Sequence, residues 1–91
     1  MPRTTVKTNE LKRGDWVTLR NGWHARLEDN RKGNIRMCTV FGLYTEMGSV
    51  YSHNMVCQLD PTTDIAMGIV GKIIAYVEHT PAQVKLRRLT G

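Results

Sequence analysis

The sequence predicts a single mainly β domain, a small barrel of about five short strands followed by a short C-terminal α-helix. Ninety-one residues can close only one modest hydrophobic core. Short apolar or alternating segments are separated by turns rich in Gly and Asn, and a helix start signal follows the last of them. We expect a flexible arm over residues 1–10, the barrel over residues 11–79, and the helix and tail over residues 80–91.

The first two strands are predicted to form a hairpin. Residues 15–20 and 23–28 alternate with period two and flank a turn that ends at Gly22. A two-residue turn would force charge onto the apolar face, so we expect a three-residue loop with Gly22 in the left-handed conformation. In that register four side chains face the core: Val17, Leu19, Trp23 and Ala25. The outward side chains are Trp16, Thr18, His24 and Arg26.

Three further strands are predicted, over residues 35–44, 49–59 and 69–77. The first is rich in apolar and β-branched residues. The sequence does not decide which of its side chains face the core, and a bend near Gly42 is expected to let this strand contribute to two sides of a barrel. Residues 45–48 break the pattern. An irregularity is expected at Asn54 and a kink at Gly71.

A helix start is encoded after the last strand. Thr80 suits the N-cap, Pro81 the first helical position, and Gln83 the third, where its side chain can return to the cap. We therefore predict a short helix over residues 80–90.

Charge is segregated along the chain. Residues 1–36 hold nine bases and four acids, a net +5, whereas residues 37–71 hold three acids and no Lys or Arg. Residues 72–91 return to a net +3. Such segregation favours a one-sided positive field, which attracts nucleic acids or acidic protein surfaces.

Other classes of function are disfavoured by what the sequence lacks. No apolar run is long enough to cross a bilayer and the polar N-terminus does not resemble a signal peptide, so a cytosolic location is expected. Cys38 and Cys57 are expected to be reduced, buried side chains. The His and Cys residues lack the short paired spacing of a metal site, and no phosphate loop, nucleophile elbow or carboxylate pair is present. We expect no enzymatic activity and no cofactor.

Residues 11–19, with Gly22 and Ala25, resemble the opening of an SH3-like barrel of the KOW type, found in ribosomal and transcription proteins. The resemblance covers about residues 11–40 and ends after Gly42, where the continuation of that motif is absent. The whole chain, including residues 48–53 and 79–83, is also similar to short uncharacterised proteins of tailed bacteriophages. That second resemblance implies an accessory protein acting in the host cytoplasm, in a class that commonly binds host or defence machinery.

The primary functional candidate is a basic hairpin surface that contacts nucleic acid, RNA or DNA, with low sequence selectivity. Its cations would meet phosphates and its two rings would stack on bases. The residues are Arg20, Arg26, Arg31, Lys32, Arg36, Trp16 and His24. The alternative is an ordinary solvated face.

A second candidate is inhibition of a host or anti-phage defence protein through the base-free middle segment. Its interaction residues would be Phe41, Tyr44, Tyr51 and His53, although residues such as Tyr51 and His53 more often form packing pairs within a sheet. The protein could act as a homodimer. A weaker option is an oligomer that sequesters a nucleotide signal.

Overall fold

A computed structural model gives the fold of the chain and describes residues 4–90. Seven strands form one sheet in the order β1-β7-β6-β2-β3-β4-β5, in which β1 runs parallel to β7 and every other pair is antiparallel. The strands are β1 Thr5–Lys7, β2 Trp16–Leu19, β3 His24–Leu27, β4 Ile35–Phe41, β5 Thr45–Tyr51, β6 Met55–Leu59 and β7 Ile73–Glu78. The helix α1 spans Pro81–Thr90, and 3₁₀ turns span Thr8–Glu10, Ser52–Asn54 and Ile65–Met67.

The mainly β prediction with one short C-terminal helix is confirmed, but the described chain has seven strands rather than five. The two edges of the sheet are β1 and β5, and no ladder joins them within residues 4–90. Closure into a barrel is therefore not confirmed. In the same residues, no helix is long and apolar enough to span a bilayer.

The β2–β3 hairpin has the predicted register. Val17 pairs with Ala25, and the Leu19 amide donates to the Trp23 carbonyl at 2.7 Å. Gly22 has φ of +90°, the left-handed conformation that the three-residue loop requires. The rule that charge must stay off the apolar face was enough to choose this register.

The exposures of the two tryptophans are the reverse of those predicted. Trp23, predicted to be a core residue, is 41% exposed and its ring lies over Gly42. Trp16 faces away from the main core as predicted, yet it is only 6% exposed. Phe41 packs against it with ring centroids 5.3 Å apart, and the Arg26 guanidinium lies 5.5 Å from its ring centroid. The outer face of the sheet therefore has a small apolar cluster of its own.

The middle of the chain differs most from the prediction. Residues 45–48, expected to break the pattern, are the first half of β5. The single strand predicted over residues 49–59 is two strands separated by the 3₁₀ turn Ser52–Asn54, which coincides with the irregularity expected at Asn54. The strand predicted over residues 35–44 ends at Phe41, and β7 begins at Ile73 instead of residue 69.

The first residues of the described chain are part of the fold rather than the free arm that was predicted. Thr5, Val6 and Lys7 pair with residues of β7, and Val6 packs against the core. The 3₁₀ turn that follows buries Thr8. Residues 1–3 of the predicted arm, and residue 91 of the predicted tail, lie outside the described residues.

Helix α1 begins as predicted. The Gln83 amide donates to Thr80 Oγ1 at 3.2 Å, and the Thr80 amide donates to Gln83 Oε1 at 3.0 Å, which completes a capping box. Gln83 is buried, and its Nε2 donates to Thr8 Oγ1 at 2.8 Å. The helix is thereby joined to the start of the chain.

The core lies on one face of the sheet, and its composition shows which side chains of β4 point inward. Cys38 points into it, whereas Ile35 and Met37 are exposed on the opposite face. Cys38 and Cys57 are both buried and free, as expected. The buried core residues are Leu11, Val17, Leu19, Ala25, Leu27, Cys38, Val50 and Met55.

Candidate nucleic-acid interface

Four exposed cations lie in two loops that meet at one end of the sheet; we call them the basic loop cluster. They are Lys12, Arg13, Arg31 and Lys32. The Arg13 amide donates to Asn30 Oδ1 at 2.8 Å, and this bond joins the loop before β2 to the loop between β3 and β4. None of the four forms an ion pair with another of the described residues.

The loops are held by a buried arginine beneath them. The guanidinium of Arg36 has no exposed surface and donates from Nε to Asp29 Oδ1 at 2.7 Å. Its Nη1 donates to the Thr8 carbonyl at 2.7 Å, and its Nη2 donates to the carbonyls of Leu11 and Asp29 at 2.8 Å. One side chain thus fixes the N-terminal turn and the β3–β4 loop against each other. A buried guanidinium is tolerated only with this degree of pairing.

The carboxylate of Asp29 is committed to the same network. Burial acts to raise its pKa, but hydrogen bonds from the Met37 amide and the Arg36 guanidinium outweigh burial and hold the pKa below its usual range. Asp29 therefore stays ionised and paired inside the fold. It does not neutralise Arg31 or Lys32 at the surface.

Hydrogen bonds between side chains and backbone groups fix the rest of the β3–β4 loop and the loop before β2. The Gly33 amide donates to Asn9 Oδ1 at 2.8 Å, and Ser52 Oγ donates to the Gly33 carbonyl at 2.9 Å. Asp15 accepts a bond of 2.7 Å from the Lys12 amide through Oδ2. The acids on either side of Lys12 in the sequence, Glu10 and Asp15, therefore both accept bonds from backbone amides, and the loops are anchored while their cations are in water.

The predicted basic surface is divided by the structure. Arg31 and Lys32 are exposed in the cluster, but Arg36 is buried and does not contribute to an exposed surface. Arg26 bonds Glu28 through Nε at 2.9 Å, and Arg20 lies outside the cluster with Nη1 3.5 Å from Asn54 Oδ1. The five predicted cations therefore do not form one surface.

The Glu28 carboxylate that binds Arg26 is itself held by the sheet. Thr39 Oγ1 donates to its Oε2 at 2.6 Å. This bond, with smaller contributions from Arg26 and Arg13, lowers the pKa of Glu28 against the opposing effect of burial. Arg26 is thus neutralised by a carboxylate that stays ionised.

Neither predicted stacking ring is free to meet a base. Trp16 is covered by Phe41 and Arg26, as described above. His24 is half-buried, and its Nδ1 lies 3.1 Å from Thr18 Oγ1. Of the predicted interface, the structure thus brings together two exposed cations, Arg31 and Lys32, but neither ring.

The residues predicted for protein interaction are also separated by exposure. Tyr44 is largely exposed in the β4–β5 turn, whereas Phe41 is half-buried against Trp16. His53 is buried beneath Tyr51, whose ring stacks on it with centroids 5.1 Å apart. The packing-pair interpretation of Tyr51 and His53 agrees with this geometry.

Sequence reasoning missed Lys12 and Arg13 as members of the site. Both belong to the stretch that resembles the opening of an SH3-like barrel, and nothing local in the sequence connects them to Arg31 and Lys32. The available signal was Asn30, a residue that accepts backbone bonds in turns, but its partner is 17 residues away.

Comparison with protein-family models, with curated proteins and with solved structures finds no match. Among residues 4–90, no group of three or more His, Cys, Asp or Glu side chains is arranged to hold a metal ion.

Proposed function

We propose that the protein binds nucleic acid, RNA or DNA, with low sequence selectivity through the basic loop cluster. The observation that carries the proposal is the bond between the Arg13 amide and Asn30 Oδ1, because it unites four exposed cations without ion-pair partners in a fixed pair of loops. Exposed Lys and Arg side chains bind phosphate without a large desolvation cost, and anchored loops lose little entropy on binding.

Low selectivity follows from the kind of contact that the cluster offers. Phosphate contacts position a nucleic acid but carry no base information. Four such contacts would give a slope of log affinity against log salt of about −3 to −4 on duplex DNA. Since Trp16 and His24 are not free to stack, base-specific contacts are not part of the proposal.

The proposal also includes an SH3-like architecture and a phage-type accessory role in the host cytoplasm. The hairpin register and the small mainly β sheet support the first, and only the likeness of the chain to short phage proteins supports the second. Non-enzymatic action remains our expectation.

Fluorescence anisotropy against labelled single- and double-stranded DNA and RNA, at two salt concentrations, tests the function. The double variant Arg31→Gln/Lys32→Gln should weaken binding to all sequences and reduce the salt slope by about 2. The matched control is Lys85→Gln/Arg88→Gln on α1, which removes the same charge from exposed positions elsewhere. Equal losses in both variants would show general attraction without a site, and absence of binding at low salt would end the proposal.

A protein partner is the second candidate, favoured by the exposure of Leu43 and Tyr44 at the β4–β5 turn, 85% and 77% respectively. An apolar contact there should persist at high salt, unlike phosphate contact. Tyr44→Ser should then abolish capture of the partner from host lysate while leaving the thermal unfolding midpoint in place. Capture that survives this substitution would exclude the turn.

A further inference from the structure

We infer that the outer edge of β5 is the contact through which two copies of this chain form an antiparallel dimer, centred on Gly48. This inference is independent of nucleic-acid binding. It rests on the free edge of β5, on the symmetric placement of its outward backbone groups about Gly48, and on the position of its single charge.

The edge of β5 is long and unprotected. It spans seven residues, and within residues 4–90 β4 is its only strand neighbour. Natural sheets protect such edges with Lys, Pro, bulges or short strands, because unpaired backbone groups recruit another strand. Residues 45–51 contain no Lys and no Pro, and the β4–β5 ladder runs without a shift from Phe41 to Ile35.

The direction of the free backbone groups follows from β4. The backbone N–H and C=O groups of Met37 both point toward β3. The carbonyl accepts a hydrogen bond from the Glu28 amide, and the amide donates one to Asp29 Oδ2, each at 2.9 Å. Ser49 lies opposite Met37, so its own groups point away from β4. By alternation the same is true of every second residue of the strand. The residues with outward backbone groups are Thr45, Met47, Ser49 and Tyr51.

A two-fold axis at Gly48 uses all of these groups. It pairs Met47 with Ser49 of the second copy, and Thr45 with its Tyr51, so that outward groups meet outward groups along the full strand. Gly48 lies opposite Gly48 of the second copy, in a pair that exchanges no hydrogen bonds. A Cβ built at Gly48 meets no other atom within 4 Å. The centre of the contact is therefore unobstructed.

The charge of Glu46 favours an axis at Gly48 over an axis at Met47. Glu46 is the only charged residue of β5, and an axis at Gly48 places it opposite Val50 of the second copy. The two Glu46 residues are then about 14 Å apart along the strand. An axis at Met47 would instead make them diagonal neighbours, which repel. No base lies on β5 itself, since residues 37–71 contain no Lys or Arg.

A second copy also accounts for the apolar surface around the edge. Met47 and Tyr51 are 68% and 46% exposed on the outer face of β5. Leu43 and Tyr44, in the turn just before β5, would lie beside the end of the second copy's β5, near its Tyr51. Because seven paired residues alone bury less than a standard interface, these side chains must contribute most of the contact. We expect a weak dimer with a dissociation constant in the micromolar range.

Symmetric crosslinking tests the register. In Gly48→Cys the two new Cys residues face each other in this pair without hydrogen bonds, with Cα atoms about 4.5 Å apart, a distance that disulfides accept. Mild oxidation should produce a covalent dimer as the main product. The matched control is Glu46→Cys, exposed on the same strand but about 14 Å from its copy, and it should crosslink at least tenfold less. The wild-type protein, whose two cysteines are buried, provides the blank.

Sedimentation equilibrium of the wild type, from low to high micromolar concentration, tests association without any substitution. We expect reversible dimerisation that Met47→Lys/Ser49→Lys abolishes, because each new Lys would face another across the axis. A monomer at every concentration would overturn the proposal and leave the edge to a different partner. Equal crosslinking of the two Cys variants, or dimers that survive the two lysines, would overturn the assigned edge.

Discussion

Arg36 Nε lies 2.7 Å from Asp29 Oδ1, in an ion pair whose guanidinium has no exposed surface and whose carboxylate is 15% exposed. The pair lies directly beneath the basic loop cluster. An arginine that sequence alone assigned to a nucleic-acid surface is therefore a structural residue, and its loss should affect stability before it affects binding.

Replacement of Arg36 by Met should destabilise the fold by about 3–5 kcal/mol, because Asp29 and three carbonyl groups would lose their donor. The measurement is the free energy of unfolding from urea denaturation followed by circular dichroism. Arg31→Met, at an exposed position in the β3–β4 loop, should change it by no more than about 0.5 kcal/mol. Similar values for the two variants would contradict the structural role of Arg36.

The stability of the protein should decrease when the pH falls below about 6.5. Burial, with the nearby positive charges of Arg20, His79 and Arg87, lowers the pKa of His53 from its ordinary value of 6.5. Below pH 6.5 the unfolded chain binds a proton that the folded chain does not, so unfolding is favoured until the folded pKa is reached. Above pH 6.5 His53 is neutral in both the folded and the unfolded state, so it contributes nothing to the pH dependence of stability.

Urea denaturation of the wild type and of His53→Gln between pH 5 and pH 7.5 measures this effect. The variant should have a flatter profile over that interval, even if its stability at neutral pH is lower. Parallel profiles would assign the pH dependence to other groups.

The two tryptophans should differ in their contribution to stability, in the order opposite to that expected from sequence. Trp16→Ala removes a ring packed between Phe41 and Arg26 and should cost about 3–5 kcal/mol. Trp23→Ala removes a partly exposed ring and should cost about 1–2 kcal/mol. Chemical denaturation gives both values, and a larger loss for Trp23 would contradict the burial described for the outer face.

Both cysteines should be unreactive in the folded protein. Burial raises the pKa of the Cys38 thiol to about 12, and Cys57 is buried in β6. At pH 8, Ellman's reagent should label neither thiol within minutes but should label both in denaturant. Rapid labelling of one thiol without denaturant would show local opening of the strand that carries it.

The sequence was informative where a local rule had one solution. Charge could stay off the apolar face of the hairpin only with Leu19 opposite Trp23, and that register is present. The Thr80 and Gln83 capping box depends on residues three positions apart and was likewise predictable. These elements need no information from distant parts of the chain.

The missed features depend on partners that are distant in sequence. The burial of Arg36 requires carbonyl groups 25 and 28 residues away, and the burial of Trp16 requires Phe41 on another strand. The start of β5 was missed because an edge strand exposed on both faces has no alternating pattern to detect. The basic loop cluster could not be assembled for the same reason, since Asn30 joins its two halves only in the fold.

The bond between Gln83 and Thr8 spans 75 residues, and β1 pairs with β7 over a similar separation. During synthesis at roughly 5–20 residues per second, the first strand would wait about 4–15 s for the partners that hold it. The nascent chain must therefore carry β1 without its hydrogen-bonding partner until β7 is made. Completion of the fold is a late event, which makes the ribosome-bound chain the form most exposed to misassociation.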